Sequence, residues 1–104
     1  MGRCEVIVAC IPAYNEEKTI AKVVLLAQQQ VDKVVVCDDG SVDMTADIAK
    51  KLGAIVVSHP NQMGYGAAIK TLFNEARELN ADVMVTLDAD GQHDPREIGA
   101  LLRP

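Results

Sequence analysis

Four short runs of apolar, mostly β-branched residues recur along the chain, and stretches with helical periodicity separate them. The runs cover residues 5–11, 31–37, 54–58 and 81–87. Strands that alternate with helices form a parallel sheet with right-handed crossovers. The sequence therefore predicts an α/β fold: a Rossmann-like three-layer sandwich with a mostly parallel sheet of about four strands.

Capping residues and prolines predict where these elements begin and end. Asn15 is a favourable N-cap for the first helix, Gly53 a favourable end for the second, and Pro95 suits the first turn of a last helix. Pro12 is expected to end the first strand, because proline has no N–H for a ladder. The third helix, over residues 64–79, is expected to turn these side chains inward: Ala67, Ala68, Ile69, Leu72, Phe73 and Ala76.

Composition restricts the class of protein. A chain of 104 residues allows one small domain, and a net charge of −5 argues against a nucleic-acid partner. Cys4, Cys10 and Cys37 lie in or beside apolar runs without metal-ligand spacing, so we expect buried thiols in a reducing compartment. No apolar run is long enough to span a membrane, and no signal peptide is evident.

The loops that follow the four predicted strands carry the polar residues of interest. In parallel sheets, ligands bind beyond the carboxyl ends of the strands. That rule gathers residues 12–16, 38–41, 59–66 and 88–93 on one edge of the sheet, which we call the rim. A binding site on the rim is therefore expected.

Asp88 and Asp90 follow the last predicted strand and lie one residue apart. Carboxylates this close repel each other unless a positive charge lies between them, and their oxygens suit Mg²⁺ or Mn²⁺. The alternative is an acidic turn that closes the strand, where Asp and Gly are common. Three roles are open for His93: a metal ligand, a hydrogen-bond donor to phosphate, or a residue at the start of a helix that faces solvent.

Asp38 and Asp39 end the second predicted strand, where an acid commonly accepts hydrogen bonds from a nucleoside. One of the two is expected to cap the following helix instead. Tyr14 could lie along a base or a sugar, or be an ordinary half-buried tyrosine. His59 is interpreted as a loop residue.

Gly64 and Gly66 form only part of a dinucleotide fingerprint, because Ile69 takes the third glycine position and the motif follows the third strand. The two glycines are expected to permit close approach of backbone to a helix or a ligand. The chain has neither a phosphate loop of the NTPase type nor a hydrolytic triad.

Taken together, these motifs resemble family 2 glycosyltransferases, and most closely the polyprenyl-phosphate hexosyltransferases of the dolichyl-phosphate mannose synthase type. The resemblance rests on four stretches in order, at residues 11–17, 38–41, 61–68 and 88–95. It covers almost the whole chain.

The resemblance implies a GT-A fold that binds a nucleotide-sugar donor. It implies a nucleotide site lined by Pro12, Ala13, Tyr14, Asn15, Glu16, Asp38, Asp39 and Gly64. Asp39 would contact the base. Asp88, Asp90 and Gln92 would hold Mg²⁺ or Mn²⁺ against the diphosphate.

The implied reaction is inverting transfer of mannose or glucose from a GDP- or UDP-sugar, such as GDP-mannose or UDP-glucose, to a polyprenyl (dolichyl) phosphate. A metal would stabilise the leaving nucleoside diphosphate. A phosphate acceptor is already ionised, so it would need little general-base help. This interpretation assigns no catalytic residue within the chain.

Residues 1–104 would form the donor-binding half of such a domain, without the acceptor half. We expect this half to bind nucleotide and metal but to transfer little sugar alone. We also expect a cytoplasmic location, with the whole protein either free or at the cytoplasmic face of a membrane. Self-association through an exposed sheet edge is expected as well.

Two other functions compete with this interpretation. One is a nucleotide- or metal-binding module without catalysis. The other is a nucleotidyltransferase, which also holds nucleotides at acidic metal sites. Sugar-activating nucleotidyltransferases would have a Gly-rich basic loop after the first strand, and residues 12–16 lack one.

Overall fold

Strands and helices alternate through residues 5–90, which are the residues described by the structure, a computed structural model. The elements are β1 Ile7–Ala13, α1 Ile20–Gln28, β2 Lys33–Asp38, α2 Thr45–Lys51, β3 Ile55–Ser58, α3 Tyr65–Glu78 and β4 Val83–Thr86. The predicted helix after Pro95 lies outside the described residues.

The four strands form one parallel sheet in the order β3-β2-β1-β4. Successive residues of a strand point to opposite faces, so β1 contributes to two cores. Ala9 and Ile11 pack with α1 on one face, and Val8 and Cys10 pack beneath α3 on the other. The predicted α/β fold with three layers is confirmed.

β1 does not end at Pro12, as the sequence predicted, but continues to Ala13. The carbonyl of Cys10 accepts from Leu87 of the β4 side, whereas the carbonyl of Ala13 accepts from Asp39 of the β2 side. Since sides alternate along a strand, Pro12 faces the β4 side, two residues beyond Cys10, the last residue of β1 that pairs with β4. Its missing N–H therefore removes no ladder hydrogen bond.

Two predictions about the helices are wrong. α1 begins at Ile20 behind Thr19, and Asn15 is not its N-cap, because the Asn15 backbone has a φ of 52° and belongs to the loop. Phe73 of α3 is 44% exposed and does not face the core, which receives Ala68, Leu72 and Ala76 instead.

Two other expectations hold. Gly53 follows α2 with a φ of 95°, a left-handed conformation that glycine adopts without strain. Cys10 and Cys37 are buried free thiols, while Cys4 lies outside the described residues. Among residues 5–90, no helix is both long enough and apolar enough to cross a membrane.

Candidate functional site at the carboxyl rim

The strand order of the sheet reverses between β1 and β4, and we call this position on the rim the crevice. From β1 the chain proceeds to β2 and β3 on one side, and then crosses to β4 on the other side. In open α/β sheets, ligands bind at the point where the strand order reverses in this way. The loop after β1 and the turn after β4 therefore border the position where a ligand is expected.

The loop after β1 is bonded to the loop after β2 by a reciprocal pair of hydrogen bonds. The Asn15 N–H donates to Ser41 Oγ at 2.8 Å, and the Val42 N–H donates to Asn15 Oδ1 at 2.9 Å. Asparagine tolerates the left-handed backbone that this arrangement needs. Asn15 therefore shapes the rim, and its side-chain oxygen is engaged within the protein.

A second pair of contacts continues this connection towards the helices. The Glu16 N–H donates to the hydroxyl of Thr45 at 2.9 Å, and the Met44 N–H donates to Glu17 Oε1 at 3.0 Å. Thr45 is fully buried. The start of α2 thus fixes the backbone of the loop after β1, a role for Thr45 that no sequence motif indicated.

Asp38 and Asp39 are both buried at the end of β2, with 6% and 5% of their surfaces exposed. The Ser41 N–H donates to Asp38 Oδ1 at 3.2 Å, which closes a local turn. Neither acid caps α2, although the sequence predicted that one of them would. Asp38 serves the turn, and Asp39 turns towards the loop after β3.

The Asp39 carboxylate accepts three hydrogen bonds from that loop. Its Oδ1 accepts from the His59 ring at 2.8 Å and from the Met63 N–H at 2.9 Å, and its Oδ2 accepts from the Gly64 N–H at 2.9 Å. Burial alone would raise the pKa of this carboxyl. The hydrogen bonds from His59, Met63 and Gly64 outweigh burial and lower the pKa below its usual value.

Close approach of backbone occurs at Gly40 and not, as expected, at Gly64 or Gly66. A Cβ on Gly40 would lie 2.5 Å from the carbonyl carbon of Asn61, whereas nothing lies within 4 Å of a Cβ on Gly64 or Gly66. Glycine is still required at this position for its conformation. Gly64, the residue just before α3, has a φ of 104°, which other residues rarely adopt. The expected approach to a ligand remains a prediction.

Asp88 and Asp90 lie at the turn after β4, Asp88 partly buried and Asp90 exposed. The hydroxyl of Thr19 donates to the carbonyl of Ala89 at 2.6 Å, which ties this turn to the segment just before α1. The two acids therefore flank a backbone position that is fixed across the crevice. Gln92 and His93 lie outside the described residues, so their predicted roles are not tested.

The oxygen atoms of Asp88 and Asp90 are of the kind that Mg²⁺ and Mn²⁺ prefer, with the remaining ligands supplied by water and phosphate. Within residues 5–90, no group of three or more His, Cys, Asp or Glu side chains could hold a metal ion. A metal held here would therefore need ligands from a diphosphate, from water or from residues beyond the turn.

The structure brings together most of the nucleotide-site residues predicted from the sequence. Those of the first loop and Asp38 and Asp39 lie on bonded, neighbouring loops, and Gly64 bonds directly to Asp39. Tyr14 is 38% exposed on the same rim. A surface cavity of about 390 Å³ lies elsewhere, beside the starts of β2 and β3 at the opposite edge of the sheet. We regard the rim as the functional edge because it carries the four acids that follow β2 and β4: Asp38, Asp39, Asp88 and Asp90.

Three comparisons with known proteins found similar families, sequences and structures. The model of the family described as glycosyl transferase family 2 matches residues 8–104. A UDP-N-acetylglucosamine–dolichyl-phosphate N-acetylglucosaminyltransferase of Methanococcus voltae is 39% identical over 112 residues, covering 90% of this chain and 45% of the relative. A polyprenol monophosphomannose synthase of Mycolicibacterium smegmatis is 33% identical, covering 88% of this chain and 38% of the relative.

Solved structures show the same fold. Glucosyl-3-phosphoglycerate synthase from Mycobacterium tuberculosis, in complex with Mn²⁺, UDP and glucosyl-3-phosphoglycerate, has a TM-score of 0.67 and 31% identity, covering 82% of this chain and 33% of that one. Mannosyl-3-phosphoglycerate synthase from Rubrobacter xylanophilus has a TM-score of 0.74 at 24% identity, which supports the fold alone. The chain spans less than half the length of these curated relatives and solved structures.

Proposed function

This chain belongs to glycosyl transferase family 2, and from that premise we propose that residues 1–104 form the donor-binding half of an inverting, metal-dependent hexosyltransferase. The observation that carries the proposal is the bonded rim. Hydrogen bonds join the loop after β1 to the loop after β2, and Thr19 ties the turn that holds Asp88 and Asp90 to the segment before α1. A nucleotide-sugar needs a nucleoside pocket and a diphosphate site around one crevice.

Asp39 supports the nucleoside part of the proposal. Because its pKa is lowered, its carboxyl is ionised near neutral pH and only accepts hydrogen bonds. Such a group recognises a base that presents a ring N–H, which uracil and guanine do and which adenine and cytosine do not. We therefore expect the donor to be a UDP- or GDP-sugar, such as UDP-glucose or GDP-mannose. The UDP bound in the structural relative supports the first.

Asp88 and Asp90, with Gln92, would hold Mg²⁺ or Mn²⁺ against the donor diphosphate. The bound metal would stabilise the negative charge of the leaving nucleoside diphosphate. The Mn²⁺ in the complex of the M. tuberculosis synthase supports this assignment. The protein's own contribution is to fix the turn through the contact between Thr19 and Ala89.

The acceptor proposed for the whole protein is a polyprenyl phosphate. Relatives in two genera are named for transfer to a dolichyl phosphate or for synthesis of a polyprenol monophosphomannose. An ionised phosphate acceptor would need little help from a general base, and we assign none to the described residues. The M. tuberculosis relative favours a second candidate, a small phosphorylated acid such as phosphoglycerate.

A binding module without catalysis remains the alternative for residues 1–104 alone, because the acceptor site is expected in the other half of a GT-A domain. Family membership argues against the nucleotidyltransferase interpretation. For the whole protein we propose action at the cytoplasmic face of a membrane, where a polyprenyl phosphate is accessible.

Calorimetric titration of UDP, GDP, UDP-glucose and GDP-mannose, each with and without Mn²⁺, tests the proposal. We expect Mn²⁺ to strengthen the binding either of UDP and UDP-glucose or of GDP and GDP-mannose. Asp90→Asn should remove that gain, which is a loss of affinity of about tenfold or more. Asp47→Asn, an exposed acid of α2, is the matched control and should keep the gain. Unchanged Mn²⁺-dependent affinity in Asp90→Asn would contradict the metal assignment.

A further inference from the structure

His59 connects three elements of the protein through its two ring nitrogens. Nδ1 lies 2.8 Å from Asp39 Oδ1, and Nε2 lies 2.9 Å from the hydroxyl of Thr71 on α3 and 3.6 Å from Cys37 Sγ. The His59 side chain is only 10% exposed. The ring therefore joins the acid after β2 to a helix on one face of the sheet.

The donors and acceptors around the ring define its tautomer. An ionised Asp39 can only accept, so the proton lies on Nδ1. Thr71 can donate its hydroxyl hydrogen to Nε2. Burial, and secondly the nearby charges of Asp39 and Asp38, raise the pKa of Cys37 to about 11, so the thiol keeps its hydrogen and can also donate. With a proton on Nδ1, His59 donates to Asp39, and its Nε2 lies within hydrogen-bond distance of the Thr71 hydroxyl.

This arrangement makes the two oxygens of Asp39 unequal. Oδ1 accepts from both His59 and Met63, whereas among the described residues Oδ2 accepts from Gly64 alone. A carboxylate oxygen can accept about two hydrogen bonds, so acceptor capacity remains on Oδ2. Without the His59 contact, only the backbone N–H groups of Met63 and Gly64 would hold the carboxylate, and the open acceptor on Oδ2 would be less firmly fixed.

We propose that His59 is a positioning residue for nucleobase selection: anchored on Thr71, it holds the Asp39 carboxylate so that Oδ2 is presented to a ring N–H of uracil or guanine. This inference rests on the proposed function, in which Asp39 contacts the base. It adds that the preference for such bases depends on a histidine and on a threonine of α3.

Four variants separate positioning from general support of the fold. His59→Ala removes both contacts of the ring, whereas His59→Asn places an amide N–H near the position of Nδ1 and retains a donor to Asp39. Thr71→Val removes only the hydroxyl that anchors Nε2, and Thr71→Ser keeps it. Affinity for UDP, GDP and ADP is measured by calorimetry, together with urea unfolding of each variant.

We expect His59→Ala to weaken binding of the preferred nucleotide by about tenfold or more, the loss typical of a charged hydrogen bond, and to reduce its preference over ADP. The nucleotide preference of His59→Asn and of Thr71→Ser should stay within about threefold of that of the wild type. The preference of Thr71→Val should lie between those of the wild type and of His59→Ala. A wild-type preference in a folded His59→Ala variant would overturn the proposal. So would an equal loss for all nucleotides, ADP included, because a merely structural role would produce it.

NMR of the ligand-free chain gives a reading that does not depend on nucleotide binding. ¹⁵N spectra should show the proton of His59 on Nδ1. The substitution Thr71→Val should shift the Nε2 signal, because it removes the hydroxyl beside that nitrogen. A proton on Nε2 in the neutral wild-type ring would overturn the positioning role. A chain with the predicted tautomer that binds neither UDP nor GDP would instead contradict the proposed function, and with it base selection by His59.

Discussion

Gly40 brings the loop after β2 against the loop after β3, and no other residue type fits there. Its φ is 81°, and an added Cβ would lie 2.5 Å from the Asn61 carbonyl carbon and 2.6 Å from the Gln62 nitrogen. Both neighbours are backbone atoms that cannot rotate away. The position of the loop that carries His59 and Gly64 therefore depends on the absence of a side chain at Gly40.

Alanine substitutions at three glycines should reveal this dependence as a graded series. Gly40→Ala combines left-handed strain with a clash and should destabilise by at least about 2 kcal/mol. Gly64→Ala has the strain alone, about 1 kcal/mol. Gly66→Ala, in the first turn of α3 with open space around it, should stabilise by about 0.5 kcal/mol. Urea unfolding measures all three, and equal stabilities would contradict the series.

The hydrogen bonds to Asp39 predict a pH dependence. The pKa of this carboxyl is lower in the folded chain than its ordinary 3.8, so its contribution to stability is fully present above pH 3.8. The contribution is lost as pH falls through the folded-state pKa. The stability difference between wild type and Asp39→Asn should therefore be largest near pH 7 and shrink below pH 3.8.

Unfolding both chains in urea at several pH values measures this difference, and the other carboxyls cancel in the comparison. A difference that does not change between pH 7 and pH 2.5 would show that the charge of Asp39 is not what holds the loop.

The side-chain contacts that the sequence could not reveal were missed for one reason. The polar character of Asp39 and its place after β2 were predicted, and so was the burial of Cys37. The partners of His59, however, are 20 and 12 residues away along the chain. Because such contacts form only when the sheet assembles, a histidine before a proline was interpreted as an ordinary loop residue.

The start of α1 matters for the site because it holds the turn after β4. Thr19 precedes the helix and donates to the carbonyl of Ala89, 70 residues further along the chain. The described structure gives Thr19 no side-chain hydrogen bond to the backbone N–H groups of α1. Its hydroxyl therefore serves the acidic turn and not the helix that it precedes.

Thr19→Val should release the acidic turn while preserving the shape of the side chain. We expect a loss of about 1 kcal/mol in stability and a several-fold weaker gain in nucleotide binding from Mn²⁺. Thr19→Ser keeps the hydroxyl and should behave as the wild type. Calorimetry with and without Mn²⁺ measures the second effect, and an unaltered gain in Thr19→Val would show that the contact does not position the acids.

Element types were predictable, whereas two of their boundaries were not. Apolar runs and capping residues indicated the described strands and helices. The continuation of β1 through Pro12 depends on which neighbour the missing N–H would face, and β4 has already ended on that side. α1 starts later than the sequence predicted because Asn15 bonds to the loop after β2, and no local sequence pattern shows that contact.

β4 is an edge of the sheet formed by residues 5–90. The Val83 N–H donates to the carbonyl of Val6 just before β1 and the Leu87 N–H to that of Cys10 in β1, so the N–H of Thr86 faces outward. An edge with outward N–H groups can pair with another chain. Self-association through this edge remains a prediction from the sequence.

Sedimentation velocity over a range of concentrations tests this pairing. We expect a dimer that Thr86→Pro abolishes, since proline removes an outward N–H without touching the ladder to β1. Thr86→Val is the control and should still dimerise. A wild-type chain that stays monomeric at high concentration, or a dimer unchanged by Thr86→Pro, would contradict the prediction.

The two faces of the sheet are unequally filled among the described residues, and this has a dynamic consequence. Fifteen buried residues form the core on the side of α1 and α2, but eight form the core beneath α3, whose own share is Ala68, Leu72 and Ala76. Small side chains remove little apolar surface from water, so we expect α3 to open at a lower free energy than α1, which buries Ile20, Val23, Val24 and Ala27. Each opening carries Thr71 away from His59. A nucleotide held through Asp39 should therefore slow amide exchange along the whole of α3.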